Sequence, residues 1–371
     1  MVRGVVAFAV ALAALIGVPR APGSSSAIGE PHWNRSAAET YLDRRASWWM
    51  EWPAAGREHG TVCVSCHTTL PYALARRTDS PIKRRLLDSV RTRVRQWRQI
   101  APYYADRHAG DTKAAESRGT ESVLNALILS AHDARGGALS ADARAAFDNM
   151  WALQETSGPR AGAWSWLRFD LEPWEGQQSA YFGASLAVLA VAIAPQQYRA
   201  GAAIKPRLEP LRSFLDRDYL RQPLANRSVL LWAATKWPGL IDREHQAALV
   251  DDLVRAQRHD GGWSVDALNA SSCTSCASWT SWLRRSSWSP SDGYATGLCT
   301  LALLPTDGRA AAERGVAWLI RNQDSREGDW PASSLNARRD PRSDAAAFMS
   351  DAATAFAVLA LDAAASGEVR R

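Results

Sequence analysis

Gln257-Arg258-His259-Asp260-Gly261-Gly262-Trp263 decides the fold, because its pattern occurs three times. Gln154…Gly162-Ala163-Trp164 and Gln323-Asp324-Ser325-Arg326-Glu327-Gly328-Asp329-Trp330 repeat the order Gln, Gly, Trp. Each copy ends a charged amphipathic run: Ala141 to Gln154, Arg243 to Gln257, and Ala310 to Gln323. A glycine at that place ends a helix in a left-handed turn. The Trp ring then covers the helix end, and the Gln amide reaches the exposed backbone of the neighbouring repeat. Three copies in one setting make an internal repeat.

Outward from these junctions the chain reads as alternating helices. Lys83 to Ile100 and Arg207 to Arg221 join the charged set. Between its members lie more apolar runs: Thr120 to Ala134, Gln177 to Ala194, Asn226 to Lys236, Gly293 to Leu304 and Ala345 to Leu361. Helices polar on one side belong outside, and helices apolar all round belong inside. Strict alternation of the two describes an all-α protein, an (α/α) toroid of five or six helix pairs. Ser36 to Trp52 reads as a further helix, with Ser36 and Glu39 at capping-box spacing.

The junction repeats resemble the Gln–Trp motifs of the terpenoid cyclase and protein prenyltransferase superfamily, squalene–hopene cyclase among them. Arg314-Gly315-Val316-Ala317-Trp318-Leu319 is similar to that group's outer-helix pattern, and Ser291 to Leu298 and Ser350 to Ala355 are similar to its inner-helix segments. The resemblance covers residues 81 to 365 and implies a toroid with an apolar central chamber. Its chemistry is not carried over. The cyclases' Asp-x-Asp-Asp acid is absent, and no His follows Cys299 at the spacing of the prenyltransferase zinc ligands. Asp292 and Asp351, near the starts of two inner helices, stand either as chamber residues or as caps and helix-dipole partners. Trp279 and Trp282, around Arg284 and Arg285, stand either as a lip over the chamber or as a packed loop.

The densest chemistry is Cys63-Val64-Ser65-Cys66-His67. C-x-x-C-H is the spacing that attaches a c-type haem. Each thiol adds across one vinyl group, and the following His lies under the iron as proximal ligand. Cys63 and Cys66 are therefore the candidate thioether cysteines and His67 the candidate iron ligand. Met50, Met349, His32, His59 and His108 are open as distal ligands. Three other readings remain: a redox-active C-x-x-C, a structural zinc site shared with Cys273 and Cys276, and two disulfides. For Cys273 and Cys276 alone a local disulfide is preferred. A C-x-x-C-H segment joined to this toroid also resembles a set of exported bacterial squalene-cyclase-like repeat proteins.

Residues 1–27 read as a cleaved signal and its cleavage region, with Arg3 before the apolar run Val5 to Val18. Export implies a periplasmic or secreted protein, and no later run of 18 uninterrupted apolar residues predicts a membrane span. Residues 28–80 read as a separate segment carrying the thiols, 81–365 as the toroid, and 366–371 as a tail. The chain has 371 residues and a net charge of +6. Its basic residues are dispersed along helices, so nucleic acid is not expected as a partner. The leading expectation is an exported c-type haem protein with an electron-transfer role and an unidentified redox partner. The alternative is a non-redox toroid binding an isoprenoid or other apolar small molecule, with zinc or no cofactor. A cyclase with a different acid ranks last.

Overall fold

The computed structural model describes residues 32–270, 290–340 and 342–366. The expected signal (1–27), Cys273, Cys276, Trp279, Trp282 and the tail beyond Ser366 lie outside these residues.

Twelve helices build the architecture, and they alternate. The outer set is α1 (Arg35–Glu51), α3 (Pro81–Arg95), α5 (Ala141–Ala152), α7 (Lys205–Asp218), α9 (Arg243–Ala256) and α11 (Arg309–Arg321). The inner set is α2 (Thr69–Ala75), α4 (Lys113–Asp133), α6 (Ser179–Ile193), α8 (Leu224–Lys236), α10 (Gly293–Leu303) and α12 (Phe348–Ala365). Inner helices pack in the order α2–α4–α6–α8–α10–α12, and α12 packs back on α2, which closes the ring. The fold is an α/α toroid of six helix pairs. Burial follows the sequence pattern. Every residue of α10 is buried, whereas α9 buries only Leu249, Val250 and Leu253. Among the described residues, β-structure is confined to two isolated bridges, Gly56 with Val62 and Leu171 with Glu175.

The three junctions share one geometry. Gly162, Gly261 and Gly328 have φ of 97°, 91° and 80°, the left-handed region that glycine enters without strain. Trp164, Trp263 and Trp330 are fully buried. Their indole N–H groups donate to Met150 O, Leu253 O and Leu319 O at 2.6, 2.8 and 2.8 Å. Each ring thereby bonds a carbonyl in the last turn of an outer helix, where backbone partners run out. The Gln amides then tie each junction to the next outer helix. Gln154 Nε2 donates to Gly162 O and Arg207 O, and Gln257 Nε2 to Gly261 O and Ala311 O.

The third junction shows which helix follows α11. Gln323 Nε2 donates to Gly328 O and to Asn34 O, at 2.8 and 2.9 Å. Asn34 is the N-cap of α1. The last repeat thus docks on α1 as the first two dock on α7 and α11. A Cβ on Gly328 would stand 2.6 Å from Ala37 C, so this approach needs the glycine. The expected boundary at residue 81 is corrected: Trp33 onward belongs to the same compact unit as the rest of the described toroid. The α1–α2 pair is its first repeat, not an appended segment.

Asp344–Ala365 is long and apolar enough to cross a membrane by length and composition. It consists of α12 with its 3-10 lead-in, and most of it is buried in the toroid.

Candidate functional site: the thiol–histidine loop between α1 and α2

Residues 52–68 connect the first outer helix to the first inner one, and this loop holds Cys63, Cys66 and His67. It is pinned along its length. Cys63 N donates to Ala55 O at 2.8 Å, Val62 N to Ser89 Oγ at 3.0 Å, and Trp49 Nε1 to Cys63 O at 2.7 Å. Ser65 and Thr69 cap each other. Ser65 N donates to Thr69 Oγ1, and Ser65 Oγ accepts from the N–H groups of Thr68 and Thr69. The reciprocity resembles a capping box and starts α2.

A buried arginine–carboxylate pair stands on each side of the thiols. Ahead of Cys63, Arg93 Nε and Nη2 donate to Glu121 at 2.5 and 3.1 Å, and Arg93 Nη1 donates to Thr61 Oγ1 at 3.1 Å. Arg93 and Glu121 are 1% and 0% exposed. At the exit, Arg45 Nε donates to Asp351 Oδ1 at 2.8 Å and Arg45 Nη1 to Asp344 Oδ1 at 2.7 Å. Tyr41 OH also donates to Asp351 Oδ1, at 3.0 Å, and Thr68 Oγ1 donates to Oδ2 at 2.6 Å. Thr68 Oγ1 lies 2.8 Å from His67 Nδ1. Burial pushes Asp351 above the usual carboxylate range, against the pull of Arg45, Thr68 and Tyr41. Its three donors occupy most of its lone-pair positions, which suits the ionised form.

Cys63 and Cys66 are both buried and not bonded to each other. Burial pushes the Cys63 thiol up to about 12, and it raises Cys66 as well, with Glu175 adding to the rise. Neither is a nucleophilic thiolate at neutral pH. The His67 ring stacks on Phe348 at 4.0 Å and meets Trp49 edge-on at 4.9 Å, with Trp174 at 6.0 Å. Burial, with the positive charges of Arg45 and Arg339, pushes the imidazole down to about 3, so it is neutral at physiological pH. Among the described residues no hydrogen bond engages Nε2.

This donor set fits a thioether-linked haem. The two thiols are unpaired within one loop turn, and the imidazole is neutral, with Nδ1 engaged and Nε2 without a hydrogen bond among the described residues. Cys63 and Cys66 would hold the group covalently and His67 would ligate its iron through Nε2.

The other expected residues fall elsewhere. Asp292 is the N-cap of α10, accepting from Ala295 N at 2.9 Å and Val265 N at 2.6 Å. It caps that helix, and burial pushes it up to about 6. Asp351 sits in the first turn of α12, bound to the loop exit. Trp232 on α8 meets Phe356 on α12 at 6.0 Å, and these helices are not neighbours in the ring, so the contact crosses its interior. Tyr294 and Trp174 continue this aromatic chain to His67, at 5.1, 5.5 and 6.0 Å between successive rings. Met50 and Met349 are buried, while His32, His59 and His108 are exposed.

Thr68, Arg45, Tyr41 and Phe348 are site residues the sequence reading did not single out. Thr68 alone carried a local signal, being next to His67. Glu175, beside the thiols, is pushed up to about 7 by burial, against Lys113.

No family model matches the chain, and no curated protein matches it. Two solved structures are similar over 88% of this chain and 96% of theirs. One is a glycosidase variant, 12% identical with a TM-score of 0.47; the other is a glycosidase variant in complex with glucose, 13% identical with a TM-score of 0.47. At that identity and score the likeness assigns no activity. The helix packing alone places this chain among all-helical α/α toroids, with six pairs and a thiol–histidine loop in the first of them.

Proposed function

We propose that this is an exported c-type haem protein with an electron-transfer role, its haem carried on a squalene-cyclase-like toroid. The observation that carries the reading is the state of the C-x-x-C-H loop: two unpaired thiols beside a neutral imidazole whose Nδ1 is engaged and whose Nε2 takes no hydrogen bond among the described residues. The haem supplies a one-electron couple at its iron. Cys63 and Cys66 anchor it, His67 binds the iron, and the walls formed by Trp49, Trp174 and Phe348 restrict water at the imidazole. High thiol pKa values count against a redox-active dithiol, which needs an accessible thiolate. The segment 1–27 favours a periplasmic or secreted location, where thioether attachment takes place.

The second reading, a non-redox toroid for an apolar small molecule, finds less support, because Trp232, Phe356 and Tyr294 fill part of the interior. A cyclase with another acid loses its candidate in Asp292, which is spent on two backbone N–H groups. The test is a visible absorption spectrum of the full chain matured in a host with haem-attachment machinery. A pyridine haemochrome of the thioether-linked type is expected. A colourless protein overturns the proposal.

A further inference from the structure

We infer that Asp351, acting through the Thr68 hydroxyl, is the positioning group that fixes His67 as its Nδ1–H tautomer and presents the Nε2 lone pair. The inference deepens the haem reading and rests on it where it concerns iron.

Asp351 is 1% exposed and accepts from Arg45 Nε and Tyr41 OH on Oδ1. Arg45 has no acceptor and is always charged, so the carboxylate that faces it has no need of a proton. The Thr68 hydroxyl has one hydrogen, and it is donated to Asp351 Oδ2 at 2.6 Å. The 2.8 Å contact between Thr68 Oγ1 and His67 Nδ1 must then take its hydrogen from the ring. A neutral imidazole carries a single N–H, so Nε2 is left with its lone pair. The stack on Phe348 and the edge contact with Trp49 fix the ring's plane. Thr68 is itself held, its N–H donating to Ser65 Oγ at 3.2 Å.

An anionic acceptor behind a metal-binding histidine makes the imidazole a stronger donor. A stronger donor favours the oxidised iron and lowers its midpoint potential. Breaking the relay therefore raises the potential.

The test uses the haem-loaded full chain and its Thr68→Val, Thr68→Ser and Asp351→Asn variants. Thr68→Val keeps the side-chain shape and removes the relay. It is expected to raise the midpoint potential by at least about a tenfold change in the oxidised-to-reduced ratio, about 59 mV for a one-electron couple. Thr68→Ser restores the hydroxyl and is expected to restore the wild-type value. An unchanged potential in Thr68→Val overturns the inference. Asp351→Asn strands Arg45 and can fail to fold, so Thr68→Val decides. Nitrogen NMR of imidazole-labelled, haem-free full chain separates this inference from the haem reading. Nδ1–H at His67 supports the relay even in a protein that takes no haem, a result that would remove only the haem reading. Nε2–H overturns the relay whatever the spectrum shows.

Discussion

Two buried arginine–carboxylate pairs flank the thiols of one loop, and they differ in what lies beyond them. Arg93–Glu121 ends at Thr61, and each nitrogen of its guanidinium donates to protein oxygen: Glu121, Thr61 Oγ1 and Ala101 O. Arg45–Asp351 continues through Thr68 to an imidazole. One network terminates in structure and the other in a titratable ring with a free nitrogen. A buried ion pair is therefore a poor marker of function on its own. Burial of a charged pair costs desolvation, and well-made pairs recover it only with added hydrogen bonds. Both pairs meet that requirement, but only the second transmits polarity to a group that can bind something.

The largest effect that separates them is on stability. Glu121→Gln removes the charge facing Arg93 in a fully buried site. It is expected to cost roughly 3–5 kcal/mol, the range for stranding one partner of a buried pair. Urea denaturation reads this, and haem incorporation per folded molecule is expected to stay at wild-type level. Arg45→Met is expected to cost less, about 2 kcal/mol for lost hydrogen bonds between charged groups. Asp351 keeps Tyr41 and Thr68 as donors, and Asp344 is half exposed to water. Equal losses in the two variants would erase the distinction drawn between the networks.

Much of this difference lay beyond what a sequence shows. The toroid was legible because its signals are local and repeated: a helical hydrophobic period, a Gly that must turn left, a Trp over a helix end. Cys63, Cys66 and His67 were legible as one contiguous string. Thr68, Arg45, Tyr41 and Asp351 were not legible as a unit, since 283 residues separate Thr68 from Asp351. The N-terminus of α1 shows the same limit. Ser36 and Glu39 fit a capping box, but the cap is Asn34, whose side chain accepts from Ala37 N at 3.0 Å. Its backbone is set by Gln323, a partner from the far end of the chain. Ring closure chose the cap, and no local rule contains ring closure. The boundary at residue 81 failed for the same reason, because α2 is too short to announce itself as an inner helix.

Glu175 sharpens the comparison from the pH side. Its carboxyl is pushed up to about 7 by burial, above its ordinary 4.5. The folded chain then holds this proton more tightly than the unfolded chain. Stability from this group is full at low pH and is lost as pH rises from about 4.5 through about 7. Solvent screening at a partly exposed carboxyl limits the change to about 1–2 kcal/mol. Glu175→Gln is expected to flatten that slope in denaturation curves between pH 5 and pH 8. A slope that persists would assign it to another group.

The smallest expected effect concerns closure. Gln257→Ala removes two bonds donated to Gly261 O and Ala311 O and two accepted from Arg314, and Gln323→Ala removes two donated to Gly328 O and Asn34 O and one accepted from Asn34 N. Each is expected to cost about 1–2 kcal/mol in thermal unfolding. Similar losses at the two positions are the expectation for a ring in which α1 is an ordinary sixth outer helix. A negligible loss for Gln323→Ala would leave closure to Arg35–Asp362 and the Arg45 network instead.

The central claim is covalent haem at the loop, and intact mass under denaturing conditions tests it most directly. The full chain and its Cys63→Ala/Cys66→Ala variant would be matured in the same haem-attaching host. The wild-type chain is expected to carry the added mass of one haem through denaturation, and the double variant none. A wild-type mass equal to that of the polypeptide alone, under conditions that load a control c-type cytochrome, would contradict it.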